Sequence, residues 1–81
     1  MKLTEMSNEV FEYTKNNGGK VSIDELVNYT GRKPRSIGAS VTDLTKKGLA
    51  TRVKEPGEEE GKEITYVQLT EEGVNFVPSE D

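Results

Sequence analysis

Apolar residues in the first sixteen positions recur with the spacing of a helix that buries one face. Thr4 precedes the stripe as a capping residue, and Asn17-Gly18-Gly19 follows it with glycines that accept the left-handed conformation ending many helices. The pattern predicts a first helix over residues 4–16. Its apolar face is formed or flanked by Leu3, Met6, Val10, Phe11 and Tyr13.

A short extended segment and a second helix are predicted next. Lys20 and Val21 are long enough for one short strand. Ser22 to Glu25 has the order of a capping box, in which the serine hydroxyl and the glutamate side chain bond to each other's backbone amides. The helix ends at Gly31, and its apolar side consists of Ile23, Leu26 and Val27.

A third helix is predicted to begin at Pro34, because the fixed φ of proline suits the first helical turn. Ile37, Val41 and Leu44 recur at i, i+4 and i+7 and form its inward stripe. Gly48 ends the helix. Only about three residues, 31–33, separate the second and third helices, so we expect these two helices to cross steeply.

The pattern then changes to the period of strands. Residues 49–54 alternate small or apolar with basic side chains, and residues 64–69 are rich in β-branched and aromatic types. A polar loop over 55–62 joins them, which predicts a β-hairpin. Thr70 is expected to cap a final helical turn that carries three apolar side chains onto the core, those of Val74, Phe76 and Val77. We expect one domain over residues 1–77 and a frayed tail over 78–81.

The composition argues against several classes of protein. Cysteine and histidine are both absent, which removes thiolate chemistry, the commonest general base and the usual nitrogen ligand of zinc. We therefore expect no enzyme activity, no catalytic residue, no metal site and no cofactor. No apolar run is longer than two residues, so we expect no membrane segment and a cytoplasmic location.

Charge is distributed unevenly along the chain. The whole sequence has a net charge of −4, but residues 32–54 hold seven bases and a single acid, Asp43, and sum to +6. The other residues hold four bases and fourteen acids and sum to −10. A positive surface on one helix and the strand after it suits a phosphate backbone. The seven bases are Arg32, Lys33, Arg35, Lys46, Lys47, Arg52 and Lys54.

The order helix, short strand, helix, tight turn, helix and hairpin resembles the winged helix-turn-helix fold, an α+β fold with a three-helix core and a C-terminal β-hairpin wing. Its DNA-binding members include small MarR/ArsR-like transcriptional regulators of bacteria, archaea and phages. The resemblance covers nearly the whole chain. It is carried by GGKVS at 18–22, GRKPRSI at 31–37, DLTKKGL at 43–49 and VQLTEEG at 67–73.

The resemblance implies sequence-preferring binding of double-stranded DNA, with the third helix in the major groove. On a helical wheel Arg35, Ala39, Thr42 and Lys46 lie opposite the apolar stripe. Arg35 suits a guanine edge, while Ser36 and Thr42 suit a base or a phosphate. We expect phosphate contacts from Arg32, Lys33 and Lys46, and further backbone contacts from Lys54 and Lys62 at the base of the hairpin loop. Arg52 is also among the predicted DNA-binding residues.

The predicted hairpin tip departs from the basic wing that regulators of this kind often have. It carries Glu58, Glu59 and Glu60, which phosphates would repel. Either the wing points away from the duplex or this surface meets a protein, and the alternative function is therefore a protein-interaction module that uses the acidic wing or the first helix. Binding of RNA or single strands ranks lower, because interleaved aromatic residues are missing. We expect a monomer or a weak homodimer.

Overall fold

Three helices form the body of the protein, as the sequence predicts. The computed structural model describes residues 3–77, in which α1 spans Glu5–Asn16, α2 spans Ile23–Thr30 and α3 spans Pro34–Lys46. Their inward faces meet in one apolar core with residues from the sheet. The buried apolar residues are Leu3, Val10, Phe11, Val21, Leu26, Ile37, Val41, Leu44, Leu49, Ala50, Val67 and Leu69.

The buried face of α1 is rotated from the predicted stripe. Met6 and Tyr13 are only half-buried, and two hydroxyl residues take buried positions instead, next to Val10 and Phe11. Both hydroxyls are satisfied: Thr14 Oγ1 donates to the Val10 carbonyl at 2.8 Å, and Ser7 Oγ donates to Asp43 at 2.9 Å. An apolar periodicity alone misses such positions, because a bonded hydroxyl can be buried at little cost.

The predicted capping box at α2 forms only in part. The Ser22 hydroxyl accepts a hydrogen bond from the Glu25 amide at 3.1 Å, as expected. The Glu25 carboxylate instead accepts a hydrogen bond from the Tyr13 hydroxyl at 2.7 Å, which links α2 to α1. The Tyr13 and Tyr29 rings stack beside this bond, with centroids 4.0 Å apart. A tertiary partner thus replaces the local bond.

The predicted ends of α2 and α3 are confirmed. Gly31 follows α2 in the left-handed conformation, with φ of 72°, and its amide donates to the Val27 carbonyl. Gly48 has φ of 76°, and the Leu49 amide after it reaches back to the Leu44 carbonyl at 3.0 Å. Such conformations favour glycine because a Cβ is strained there.

Three antiparallel strands form the sheet, with β1 (Lys20–Ser22), β2 (Ala50–Pro56) and β3 (Glu63–Leu69) in the order β1-β3-β2. The strands β2 and β3 make the predicted hairpin. Its turn covers residues 57–62 and is shorter than the predicted loop over 55–62, because Glu55 and Pro56 pair with Ile64 and Glu63. We call residues 57–62 the hairpin turn.

The last helix, α4 (Glu71–Asn75), begins at Thr70 as predicted. Phe76 packs edge-to-face on Phe11, with ring centroids 5.6 Å apart. The prediction is wrong for Val74 and Val77, whose side chains are 52% and 78% exposed. A five-residue helix has room for one buried position, and Gly73 takes it.

The predicted tail over residues 78–81 lies outside the described part of the chain. Among residues 3–77, no helix has both the length and the apolar character needed to cross a membrane.

Candidate nucleic-acid interface

A line of four side chains runs along the outward face of α3, opposite its buried stripe. Arg35, Ala39 and Lys46 are exposed, and Thr42 is half-buried. Their spacing repeats the helical turn, because the inward positions are occupied by Ile37, Ser40, Val41 and Leu44. We call Arg35, Ala39, Thr42 and Lys46 the α3 ridge. It presents a cation at each end and small side chains between them.

The start of α3 has an unusual distribution of charge. The helices α1, α2 and α4 each carry acidic residues in the first turn, as the helix dipole favours. The first turn of α3 has none, and its N-cap residue, Lys33, makes no side-chain capping bond. Lys33 and Arg35 are both exposed. These cations add to the positive end of the dipole, so the start of α3 attracts anions.

Arg32, just before this turn, already lies close to an acidic side chain of α1. Its Nε lies 3.7 Å from a carboxylate oxygen of Glu9 on α1, a distance too long for a hydrogen bond. This buried Nε has no hydrogen-bond partner within the described residues. The Arg32 guanidinium is therefore loosely paired, and a phosphate would have to compete with Glu9 for it.

The two lysines at the end of α3 differ in their surroundings. Lys47 Nζ donates to both carboxylate oxygens of Asp43, at 2.9 and 2.8 Å. This bond, together with the one from Ser7, outweighs burial and lowers the pKa of Asp43 below its ordinary value. Lys46 makes no ion pair within residues 3–77 and stands exposed on the α3 ridge. Lys46 is therefore the better candidate for a phosphate contact.

The two basic residues of β2 also differ. Arg52 Nη2 donates to the Gly38 carbonyl at 2.8 Å and to Thr42 Oγ1 at 2.9 Å, so this guanidinium is docked on α3. Lys54 lies two residues further along the strand, on the same face of the sheet, and is exposed. It makes no ion pair within the part of the chain that the structure describes. Lys54 extends the positive surface from α3 onto the hairpin.

The hairpin turn is acidic at its tip. Glu58, Glu59 and Glu60 are all exposed, and Lys62 pairs with Glu59 at 3.1 Å in an open position. Next to the turn, near the end of β2, Glu55 pairs with the Lys20 ammonium. The tip keeps a net negative charge, in contrast to the α3 ridge.

The structure thus places most of the binding residues predicted from sequence on or next to α3. They differ in whether another group of the protein already contacts them. Arg35, Ala39 and Lys46 lie exposed on one side of α3, and exposed Lys33 and half-buried Ser36 stand at the start of this helix. Arg32 and Arg52 are engaged by other parts of the protein, as is Thr42. Sequence reasoning missed the Gly38 carbonyl as a bonding partner, since a backbone acceptor leaves no mark in a sequence.

Small, open clefts lie on the surface of the described residues. One cleft of about 290 Å³ lies between the start of α2, α3 and the hairpin, and Asp24, Arg52 and Glu63 are among its lining residues. Within residues 3–77 there is no group of three or more acidic side chains placed to hold a metal ion.

Comparison with known proteins identifies the fold. No protein-family model matches the sequence, and no curated protein matches it. A solved structure, that of the transcriptional regulator homologue protein from Pyrococcus horikoshii OT3, is similar with a TM-score of 0.73 and 14% sequence identity. The similarity covers 85% of this chain and 65% of that one, so the chain spans somewhat less than two thirds of that protein's length. With its element order and sheet topology, the chain has the α+β winged helix-turn-helix fold.

Proposed function

We propose that this protein binds double-stranded DNA with a preference for sequence, as a transcriptional regulator that places α3 in the major groove. The Pyrococcus horikoshii protein of similar fold is described as a transcriptional regulator homologue, which agrees with this role. We extend the proposal to the small MarR/ArsR-like type, on the resemblance of the four segments named above.

The observation that carries the proposal is the clustering of unpaired cations on and beside the α3 ridge. Lys33, Arg35, Lys46 and Lys54 are exposed and make no ion pair within residues 3–77. These unpaired cations occur in a protein whose overall net charge is −4. Like charges at a helix start cost up to about 1 kcal/mol each, and an anionic partner would offset that cost.

The positions of the side chains suggest separate roles. Arg35 has the planar fork that matches the O6 and N7 atoms of guanine, and Ala39 leaves room for close approach of the helix to the bases. Lys46 at the end of the ridge, and Lys33 and Lys54 beside it, serve as phosphate contacts that position the protein. Ser36, half-buried in the first turn, suits a phosphate near the helix start.

A salt titration tests the proposal. Binding to duplexes selected from a random pool should be measured by fluorescence anisotropy across salt concentrations. If four cations neutralise four phosphates, log K should fall against log salt with a slope of about −3 to −4. A flat salt response, or no binding below the solubility limit, would contradict the proposal.

Two double variants distinguish the effect of the cations near the ridge on DNA affinity from the effect of the net charge of the whole protein. Lys33→Ala with Arg35→Ala removes one cation of the ridge and one beside it, while Lys15→Ala with Lys62→Ala removes two from elsewhere. Both double variants bring the net charge to −6. The first variant should lose most of the affinity and reduce the steepness of the salt slope by about 1.8. The second should keep the slope. Equal losses in both would show that only overall charge matters.

The acidic tip favours a second candidate function, protein binding through the hairpin turn. Three exposed carboxylates in a row form a surface for a basic partner. This alternative predicts that Lys33→Ala with Arg35→Ala leaves the binding of the protein partner unchanged. Reversing the charges of Glu58, Glu59 and Glu60 should abolish that binding. The salt titration separates the two candidates, because only the first requires DNA binding.

A further inference from the structure

Arg52, on strand β2 of the hairpin, is bonded to α3 through a single nitrogen atom. Its Nη2 donates one proton to the Gly38 carbonyl at 2.8 Å and the other to Thr42 Oγ1 at 2.9 Å. Gly38 and Thr42 stand one helical turn apart on the flank of α3. On β2, Arg52 is paired with buried Val67, so its side chain lies on the sheet face that packs toward the helices. The guanidinium is therefore held against α3.

Thr42 differs from four other helical hydroxyls because of this contact. The hydroxyls of Thr14, Thr30, Ser40 and Thr45 each donate to the carbonyl four residues earlier, at distances of 2.8 to 3.3 Å. For Thr42 that carbonyl belongs to Gly38, and Arg52 occupies it. Thr42 Oγ1 accepts a hydrogen bond from the same nitrogen. The Thr42 hydroxyl proton has no acceptor within residues 3–77.

We propose that Arg52 is a positioning residue rather than a DNA ligand, and that it makes Thr42 a dedicated hydrogen-bond donor toward the bases. Arg52 occupies one of the two lone pairs of the Thr42 hydroxyl and also bonds the carbonyl that would otherwise take its proton, so this proton is left for an acceptor on the bases. The proton is then available on the outward side of α3, between Arg35 and Lys46. This inference rests on the proposed binding of DNA by the α3 ridge.

A dedicated donor predicts which base it reads. In the major groove guanine offers O6 and N7, adenine offers N7 and thymine offers O4 as acceptors, whereas cytosine presents the N4 amino donor. A hydroxyl whose proton is free to donate therefore favours guanine, adenine or thymine over cytosine at the contacted base. A threonine whose proton is bonded within its own helix can only accept, so it would tolerate cytosine.

The charges around Arg52 agree with a positioning role. Asp24 and Glu63 line the same cleft as Arg52, and their carboxylates would repel a phosphate that approached it. Both Nη2 protons are already used on α3. Lys54, on the same face of the sheet, makes no such bond to α3 within the described residues. Lys54 is thus a matched control in a similar place with its charge available.

The experiment compares three single variants on the duplex selected by the wild-type protein and on duplexes with cytosine substituted at each position. Arg52→Met removes the positioning group, Thr42→Val removes the donor with little change of shape, and Lys54→Met removes a neighbouring cation. The readouts are the salt slope and the preference for the selected base at each position.

We expect Thr42→Val and Arg52→Met to reduce discrimination against cytosine about tenfold at the same single position. Both should keep the wild-type salt slope. Lys54→Met should do the opposite, lowering the slope by about 0.9 with all base preferences intact. The double variant Thr42→Val with Arg52→Met should match either single variant, because both act through one hydroxyl.

Two results would overturn the inference while leaving the proposed function in place. One is a salt slope for Arg52→Met that falls as it does for Lys54→Met, which would identify a phosphate contact. The other is an equal loss of affinity for every duplex, which would identify a purely structural role. If Arg52→Met fails to fold in a thermal melt, Thr42→Val decides alone, and unchanged discrimination against cytosine then overturns the inference. Wild-type protein that binds no duplex would overturn both proposals.

Discussion

At the scale of single residues, basic side chains that look alike in the sequence have different partners in the folded protein. Residues 32–54 hold seven bases, yet Lys47 is bound by Asp43, Arg52 by α3, and Arg32 lies beside Glu9. The other four bases make no ion pair within residues 3–77, namely Lys33, Arg35, Lys46 and Lys54. A count of charges locates a positive segment, whereas only the partners of each side chain show which cations are available for binding.

Asp43 provides a test at this scale, because it joins α1, α3 and Lys47. The hydrogen bond from Lys47, with a further one from Ser7, lowers its pKa below the ordinary 3.8. The unfolded chain therefore takes up this proton before the folded chain does. The stabilisation is complete above about pH 5 and is lost as the pH falls through the lowered folded-state pKa.

We accordingly expect Asp43→Asn to be less stable than the wild type at pH 7 and to lose less stability on acidification. Urea unfolding at a series of pH values measures both effects. Glu12→Gln is the control, since Glu12 makes no hydrogen bond or ion pair within residues 3–77. An Asp43→Asn protein with wild-type acid sensitivity would contradict the assignment.

At the scale of elements, short-range chemistry determines where helices begin and end. The hydroxyls of Thr4, Ser22 and Thr70 each accept a hydrogen bond from the amide three residues later. Such caps contribute about 1 kcal/mol each. The role of α4 is different, because its position depends on a contact distant in sequence. Gly73 lies against the Leu49 carbonyl, which also accepts a hydrogen bond from the Thr70 amide at 3.0 Å.

Gly73→Ala should therefore destabilise the protein. An added Cβ would lie 2.0 Å from the Leu49 carbonyl oxygen, so α4 or the start of β2 must move. We expect a loss of about 1–3 kcal/mol in the free energy of unfolding, measured by chemical denaturation. Val74→Ala on the same helix is the control and should change stability by less than about 0.5 kcal/mol, since Val74 is exposed. A Gly73→Ala variant as stable as this control would exclude the close packing.

At the scale of the whole molecule, charge is separated between two surfaces. The α3 ridge and its neighbours are positive, whereas the hairpin turn is negative and the residues outside 32–54 sum to −10. Under the proposed function, this negative background would lower non-specific attraction to DNA and make binding depend on correct placement of the ridge. The acidic tip suits a hairpin that does not touch phosphates.

Neutralising the tip tests this arrangement. A Glu58→Gln, Glu59→Gln and Glu60→Gln triple variant should bind duplexes somewhat more tightly in low salt, equally for all sequences, so its affinity should fall slightly more steeply with salt than that of the wild type. The gain should fade near 0.1 M salt, where charges are screened over about 10 Å. A control with Glu5→Gln, Glu12→Gln and Glu71→Gln carries the same net charge. A triple variant that bound more weakly would show that the tip contacts DNA productively.

Much of the fold was determined by the sequence alone, through interactions between residues close in the chain. Caps, glycine stops and the period of apolar residues act within a turn or two, so they predicted α1, α2, α3 and the hairpin closely. They also placed Arg35, Ala39, Thr42 and Lys46 on one side of α3, because a helix converts spacing into direction.

Only the tertiary structure decided what depends on partners distant in sequence. It paired Glu25 with Tyr13, buried Ser7 against Asp43, left Val74 exposed and set Arg52 on the Gly38 carbonyl. Each outcome depends on which groups meet when the elements pack, and a hydrogen bond between residues 12 to 36 positions apart leaves no local pattern. The sequence thus located the positive helix, and packing determined which of its side chains remain available to bind.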